Sequence, residues 1–101
     1  MIDAIIAEME TLFRKGVFTE SASFLFFVDE VTITVIIDAD SYAVEPGAAT
    51  GKADCTCRTC AQMFRKIWYD GYKPGIMDFF GGEIKCDAPL MLPRFLKAFG
   101  K

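Results

Sequence analysis

Lys52-Ala53-Asp54-Cys55-Thr56-Cys57-Arg58 opens the stretch that decides how this chain folds, and Phe79-Phe80-Gly81-Gly82-Glu83-Ile84-Lys85-Cys86 closes it. The opening segment reads as a strand from Ala53 to Arg58. Ala53, Cys55 and Cys57 lie on one side and Asp54, Thr56 and Arg58 on the other, because side chains alternate along a strand. Thr59, with Gln62 three residues on, predicts a capping box for the helix that follows. That helix carries Met63, Phe64, Ile67 and Trp68 on one stripe and stops near Gly71. Pro74 predicts the start of a short second helix bearing Ile76, Met77, Phe79 and Phe80, ended by Gly81-Gly82. Glu83 to Asp87 reads as a fifth strand. Nothing in the stretch supplies a reacting centre; it points to an oily interior.

Upstream, Ile2, Ile5, Ile6, Met9, Leu12 and Phe13 recur at helical spacing, and Gly16 follows Arg14-Lys15 as a stop. Ser21 to Val28 is rich in strand-forming residues, and Asp29-Glu30 predicts a tight turn. Val31, Ile33, Val35 and Ile37 alternate with Thr32, Thr34 and Ile36, a strand pattern. A turn at Ala39-Asp40-Ser41 leads to a short strand with Tyr42 and Val44, and Pro46 to Gly51 reads as a loop. Downstream, Leu92, Phe95, Leu96 and Phe99 form the apolar face of a last helix, where Pro93 predicts a kink or a fresh start. The order is α-β-β-β-β-α-α-β-α. Short connections predict that the first four strands are antiparallel. Helices on one face of that sheet give an α+β class, and residues 1–101 are expected to form one domain.

Composition narrows the function. Of 101 residues, 52% are hydrophobic and 10 are Phe, yet no apolar run approaches the ~18 residues of a membrane span. Mean hydropathy is +0.28. Eleven basic residues against 14 acidic ones give a net charge of −3 with no basic stripe, which excludes nucleic acid as an expected partner. The absence of His removes histidine bases and histidine metal ligands. The start, Met1-Ile2-Asp3-Ala4-Ile5, lacks the basic opening of a signal peptide. The last residues are no peroxisomal tripeptide. A cytoplasmic protein with reduced thiols and no cofactor is expected.

Lys52-Ala53-Asp54-Cys55-Thr56, Phe64 on its helix, Pro74 and Phe79-Phe80-Gly81-Gly82-Glu83-Ile84-Lys85 form an ordered set, with Val44-Glu45-Pro46-Gly47 upstream. From Phe24 onward this set resembles the type-two sterol carrier protein family of lipid-transfer domains. The resemblance implies a five-stranded, mostly antiparallel sheet with helices packed on one face, enclosing an apolar tunnel. It also implies binding of fatty acids, acyl-CoA, sterols or phospholipids without chemistry. The chain departs from the family pattern at Ala88, where a Gly is usual, and at Cys57 and Cys60, which replace an aliphatic and a polar residue. The segment between the middle helices is one residue longer, and the chain is short for the family.

The aromatic stripes have two readings, a packed core or a cavity wall, and with the resemblance the cavity is favoured. Its expected lining is Phe24 and Phe26, Ile33 and Val35, Phe64, Ile67 and Trp68, Ile76, Met77 and Phe80, and Leu92, Phe95, Leu96 and Phe99. Met9, Met63, Met77 and Met91 suit an adaptable wall, and the last helix is the expected lid. A second reading makes Cys55, Cys57, Cys60 and Cys86 a thiolate metal or redox centre, with Cys60 at a helix N-terminus. A third is a structural interaction module with a filled cavity. Glu8 with Glu10, Asp29 with Glu30, and Asp38 with Asp40 read as a solvated face and two turns. Tyr69, Tyr72 and Lys73 border the inter-helix loop, which reads first as a plain exposed loop and, as the alternative, as a place to meet a lipid headgroup in transient membrane contact. Leu25, Phe27 and Ile36 on the far side of the sheet predict a homodimer contact.

Overall fold

Apolar residues at every second position turn one face of the central strand into the core. β1 (Ala22–Val28) buries Ala22, Phe24, Phe26 and Val28 and leaves the residues between them half-buried. The computed structural model describes residues 2–48 and 51–101. Met1, and Ala49 and Thr50 of the expected loop, lie outside the described residues. The remaining elements are α1 (Asp3–Leu12), β2 (Val31–Ile37), β3 (Tyr42–Pro46), β4 (Cys55–Thr59), α2 (Ala61–Asp70), α3 (Ile76–Phe80), β5 (Ile84–Cys86) and α4 (Met91–Ala98). This is the element order expected from the sequence, and the class is α+β. No helix among the described residues is long and apolar enough to cross a membrane.

The sheet runs β3-β2-β1-β4-β5. A two-residue turn at Asp29-Glu30 joins β1 to β2, with Asp29 at φ 53°, a conformation that Asp tolerates better than most residues. Phe24 then faces Val35, and Phe26 faces Ile33. The expectation of four antiparallel strands needs correction: β4 pairs with β1 in parallel, Phe24 opposite Cys55 and Phe26 opposite Cys57, so the sheet is mixed. The reason is positional. β2 already occupies one edge of β1, and β3 the outer edge of β2. The chain therefore crosses from β3 to the free edge of β1 before pairing again. Asp54 fixes the arrival, because its carboxylate accepts from the Ser23 amide at 2.8 Å and its own amide donates to the Ser23 carbonyl at 3.0 Å.

The start of α2 is shifted from the expected capping box. Thr59 donates its hydroxyl to the Glu83 carbonyl at 2.7 Å, tying β4 to the start of β5. Cys60 is the N-cap, its sulfur accepting from the Met63 amide at 3.4 Å. The Asp29 carboxylate, from the β1–β2 turn, accepts from the Ala61 amide at 3.0 Å. Gly71 ends α2 in the left-handed conformation, φ 66°, which glycine adopts without penalty. Pro93 does not kink α4. It is the third residue of that helix, where its missing N–H has no intrahelical partner to lose.

The expected dimer surface is partly covered within the chain. Leu25, Phe27 and Ile36 are half-buried. The Arg58 guanidinium lies 4.2 Å from the Phe27 ring centre, and Leu25 and Ile36 share a shallow groove with Gly51, Lys52 and Ala53. Thr34, buried on that side, donates to the Gly47 carbonyl at 2.8 Å.

Candidate functional site

The helices bring their apolar stripes onto the Phe24–Phe26 face of the sheet. Phe95 of α4 sits at the middle, its ring centre 5.1 Å from Phe24 and 4.9 Å from Phe26. Phe64 of α2 meets Phe26 at 5.5 Å. Phe99, just past α4, meets Phe95 at 5.3 Å and Trp68 at 5.7 Å. It also links to Tyr42 of β3 and to Phe13 after α1. These tilted and edge-on pairs are the favoured arrangements for aromatic rings. Eleven of the fourteen expected lining residues are brought together here: Phe24, Phe26, Ile33, Val35, Phe64, Ile67, Trp68, Leu92, Phe95 and Phe99 are buried, and Leu96 is half-buried.

The other three stand apart. Ile76, Met77 and Phe80 are 73%, 80% and 83% exposed on α3. Five residues make little more than one turn, and only the half-buried Phe79 and Asp78 turn inward from it. Asp78 accepts from the Tyr72 hydroxyl and from the Gly75 amide, which pins the start of α3. Of the four methionines expected in an adaptable wall, Met9 and Met63 are buried, Met91 is half-buried and Met77 is outside.

No tunnel runs between these walls among the described residues. Between β4, β5, α2 and α4 lies a void of about 10 Å³, bordered by Phe26, Cys57, Thr59, Phe64, Ile67, Trp68, Ile84, Leu92 and Leu96. Ligand sites for drug-sized molecules run from about 300 to 1,000 Å³, so this void is a seam between packed side chains and not an open site. The rings that were expected to line a gap meet across it instead. Cys57, Thr59 and Ile84 belong to its wall although no periodicity singled them out as lining; only their pairing across β4 and β5 places them there.

One polar atom is stranded in this apolar region. Trp68 is 1% exposed, and its indole Nε1 is a buried side-chain nitrogen with no hydrogen-bond partner among the described residues. Leaving such a donor unpaired costs about 1–3 kcal/mol. The Lys101 ammonium lies 5.1 Å from the Trp68 ring centre.

The cysteines divide differently from either expectation. Cys57 and Cys86 face each other across β4 and β5 with Cα atoms 4.2 Å apart and form a disulfide, so the thiols are not all reduced. Two of the four thiolates of the proposed metal set are thereby consumed, and no group of metal-ligating side chains able to hold an ion exists among the described residues. Cys55 keeps its thiol 3.7 Å from the Cys57 sulfur and near the Ala88 carbonyl at 3.4 Å. Burial, with a smaller contribution from Asp87, pushes the Cys55 thiol up to about 11. Such a thiol is a small hydrophobe, not a nucleophile.

The carboxylates are at the surface, as expected. Asp38 accepts from the Asp40 and Ser41 amides, which hold it below its ordinary value. Tyr69 donates to Glu8 at 2.6 Å; that bond raises the phenol, as the bond to Asp78 raises Tyr72.

No protein-family model and no curated protein sequence matches the chain. Solved structures do. The whole chain superposes on a segment of the stereoselective inverting sec-alkylsulfatase Pisa1 from Pseudomonas sp. with a TM-score of 0.83 at 12% identity. It covers 16% of that enzyme's length. It also matches the ubiquinone synthesis protein UbiJ-SCP2, with a TM-score of 0.69 at 16% identity over 94% of this chain and 84% of that one. Sterol carrier protein 2 from Yarrowia lipolytica in its apo form follows at 0.52 and 15%, over 94% and 76%.

Proposed function

We propose that this chain, which has the sterol carrier protein 2 fold, binds an acyl-chain lipid between its sheet and the α2–α4 pair, without chemistry. The observation that carries the reading is the seam beside Leu92 and Leu96. It lies where two helices rest on the sheet through carbon surfaces, a place where an alkyl chain can replace protein–protein contacts with like contacts. Each methylene buried there contributes about 0.8 kcal/mol. The guest has to part the rings it enters between, so α4, eight residues long and preceded by the exposed Leu90, is the lid. Recurrence of this fold in sterol carrier proteins and in a sec-alkylsulfatase supports an alkyl-bearing guest. The outward Ile76, Met77 and Phe80 of α3 do not line the closed core; we place them at the surface that meets a donor or acceptor membrane.

The filled interior favours a second reading, a structural module whose cavity has been lost. Native mass spectrometry of freshly purified protein, followed by organic extraction, separates the two. A stoichiometric co-purified lipid is expected. Protein that is free of lipid and takes up no fluorescent fatty acid establishes the filled module.

A further inference from the structure

We propose that the Cys57–Cys86 disulfide is a redox latch at the β4–β5 edge of the core, opened by a small thiol of the glutathione class, with Cys55 donating a hydrogen bond to the sulfur that leaves. What the latch does to a guest rests on the lipid reading above; the latch itself does not. Three sulfurs lie together: the Cys55 thiol is 3.7 Å from Cys57 Sγ, which is bonded to Cys86. A static brace needs only two of them. Cys57 is 2% exposed, whereas Cys86, on the edge strand, is half-buried, so attack comes at the Cys86 end.

The exchange balances with two equivalents of the small thiol. Its thiolate attacks Cys86 Sγ, the Cys57–Cys86 bond breaks, and the electron pair departs on Cys57 Sγ, which then takes a proton. A second thiolate attacks the outer sulfur of the mixed disulfide on Cys86. The small-molecule disulfide forms, and Cys86 leaves as a thiolate that is protonated in turn. Two small thiols are oxidised and one protein disulfide is reduced. Cys55 assists the first step. Its S–H points to the Ala88 carbonyl at 3.4 Å in the oxidised form, and burial keeps the proton on the sulfur. Once Cys57 carries the charge it is the stronger acceptor, because hydrogen bonds to ionised groups are roughly twice as strong as neutral ones. A stabilised thiolate is the better leaving group.

Opening the bond loosens β5. That strand has three residues. Besides its short ladder, it is tied to β4 at its ends by surface hydrogen bonds: Thr59 to the Glu83 carbonyl, the Asp87 amide to the Thr56 carbonyl at 3.1 Å, and the Thr56 amide to the Asp87 carboxylate at 2.7 Å. Cys57 and Ile84 both border the void between sheet and helices, so a loosened β5 frees one of its walls.

Protein purified without reductant is expected to show two free thiols when titrated in denaturant; four would overturn the latch. Folded protein is then treated with millimolar reduced glutathione. Intact mass after acid quenching should show a transient adduct on Cys86 and end with four thiols. A bond that resists until urea unfolds the chain, or an adduct mapped to Cys57, overturns the mechanism. Amide hydrogen exchange across residues 82–88 should quicken by about tenfold or more on reduction; unchanged exchange makes the bond an inert brace. These arms use wild type alone, so they hold whether or not a variant folds. Cys55→Ala should slow reduction by about threefold or more, and Cys55→Ser, which keeps a donor, should restore the rate. Equal rates in all three overturn the part given to Cys55. Finally, a fluorescent fatty acid should enter reduced protein faster than oxidised. Equal uptake rates overturn the gating. Faster amide exchange with no uptake in either state removes the lipid reading and leaves the latch.

Discussion

Phe95 and Leu96 are neighbours in sequence with opposite consequences. Phe95 touches Phe24, Phe26 and Phe99 and is fully buried. Phe95→Ala is expected to cost about 3–5 kcal/mol in urea denaturation, and a carboxylate at that position would unfold the domain. Leu96 is half-buried at the edge of the void, so Leu96→Asp is expected to weaken fatty-acid binding about tenfold or more while the protein stays folded. Unchanged affinity in a folded Leu96→Asp variant argues against entry beside α4. Cys55 gives a pH signature. Its thiol is raised from 9.0 to about 11, so the neutral form is favoured by folding. That contribution is complete below pH 9 and is lost as the pH climbs from about 9 to 11. It amounts to no more than about 2–3 kcal/mol. Urea unfolding at pH 8 and pH 11 should show wild type losing more stability than Cys55→Ala by roughly that amount; equal losses would place the thiol in a wetter site.

At the scale of elements, α3 decides which apolar residues are structural. Ile76, Met77 and Phe80 project into solvent, so replacing all three with Ser is expected to change stability by under about 1 kcal/mol, as exposed substitutions do. The same variant should sediment less with phospholipid vesicles. A large loss of thermal stability would mean that the helix packs inward. Element order and the apolar faces of α1, α2 and α4 were legible in the residues, because a 3.6-residue or two-residue period is local information. The direction of β4 was not. Its sequence shows a strand, but the edge it joins depends on which edges β2 and β3 have taken. The cap at Cys60 was missed for a similar reason: Thr59 has the better capping side chain, yet β5 claims its hydroxyl. The apolar stripe, read with the resemblance, also assigned Ile76, Met77 and Phe80 to the lining, but a helix of little more than one turn sends only Phe79 and Asp78 inward.

Over the whole molecule, the radius of gyration is 12.6 Å, against about 13 Å expected for a filled domain of this length. No swollen interior is present among the described residues. A cavity and a core are built from the same Phe, Leu and Ile residues, and the residues alone do not state whether facing rings meet. The resemblance to sterol carrier proteins supplied the architecture, and the packing supplied the closed state. Periodicity picked out eleven apolar side chains from β1, β2, α2, α4 and the residue after it that are buried or half-buried in one core.

The two outermost strands limit how this sheet can be extended by another chain. β5 is three residues long, and β3 ends in Glu45-Pro46, so neither border offers a long ladder of free amides and carbonyls. A foreign strand seeking to extend the sheet meets a stub on one side and, on the other, a ring that cannot donate beside a charge that resists dehydration. On the proposed function the helices part to admit a guest and bare a greasy surface, and blunted borders then guard against the seeding of fibrils.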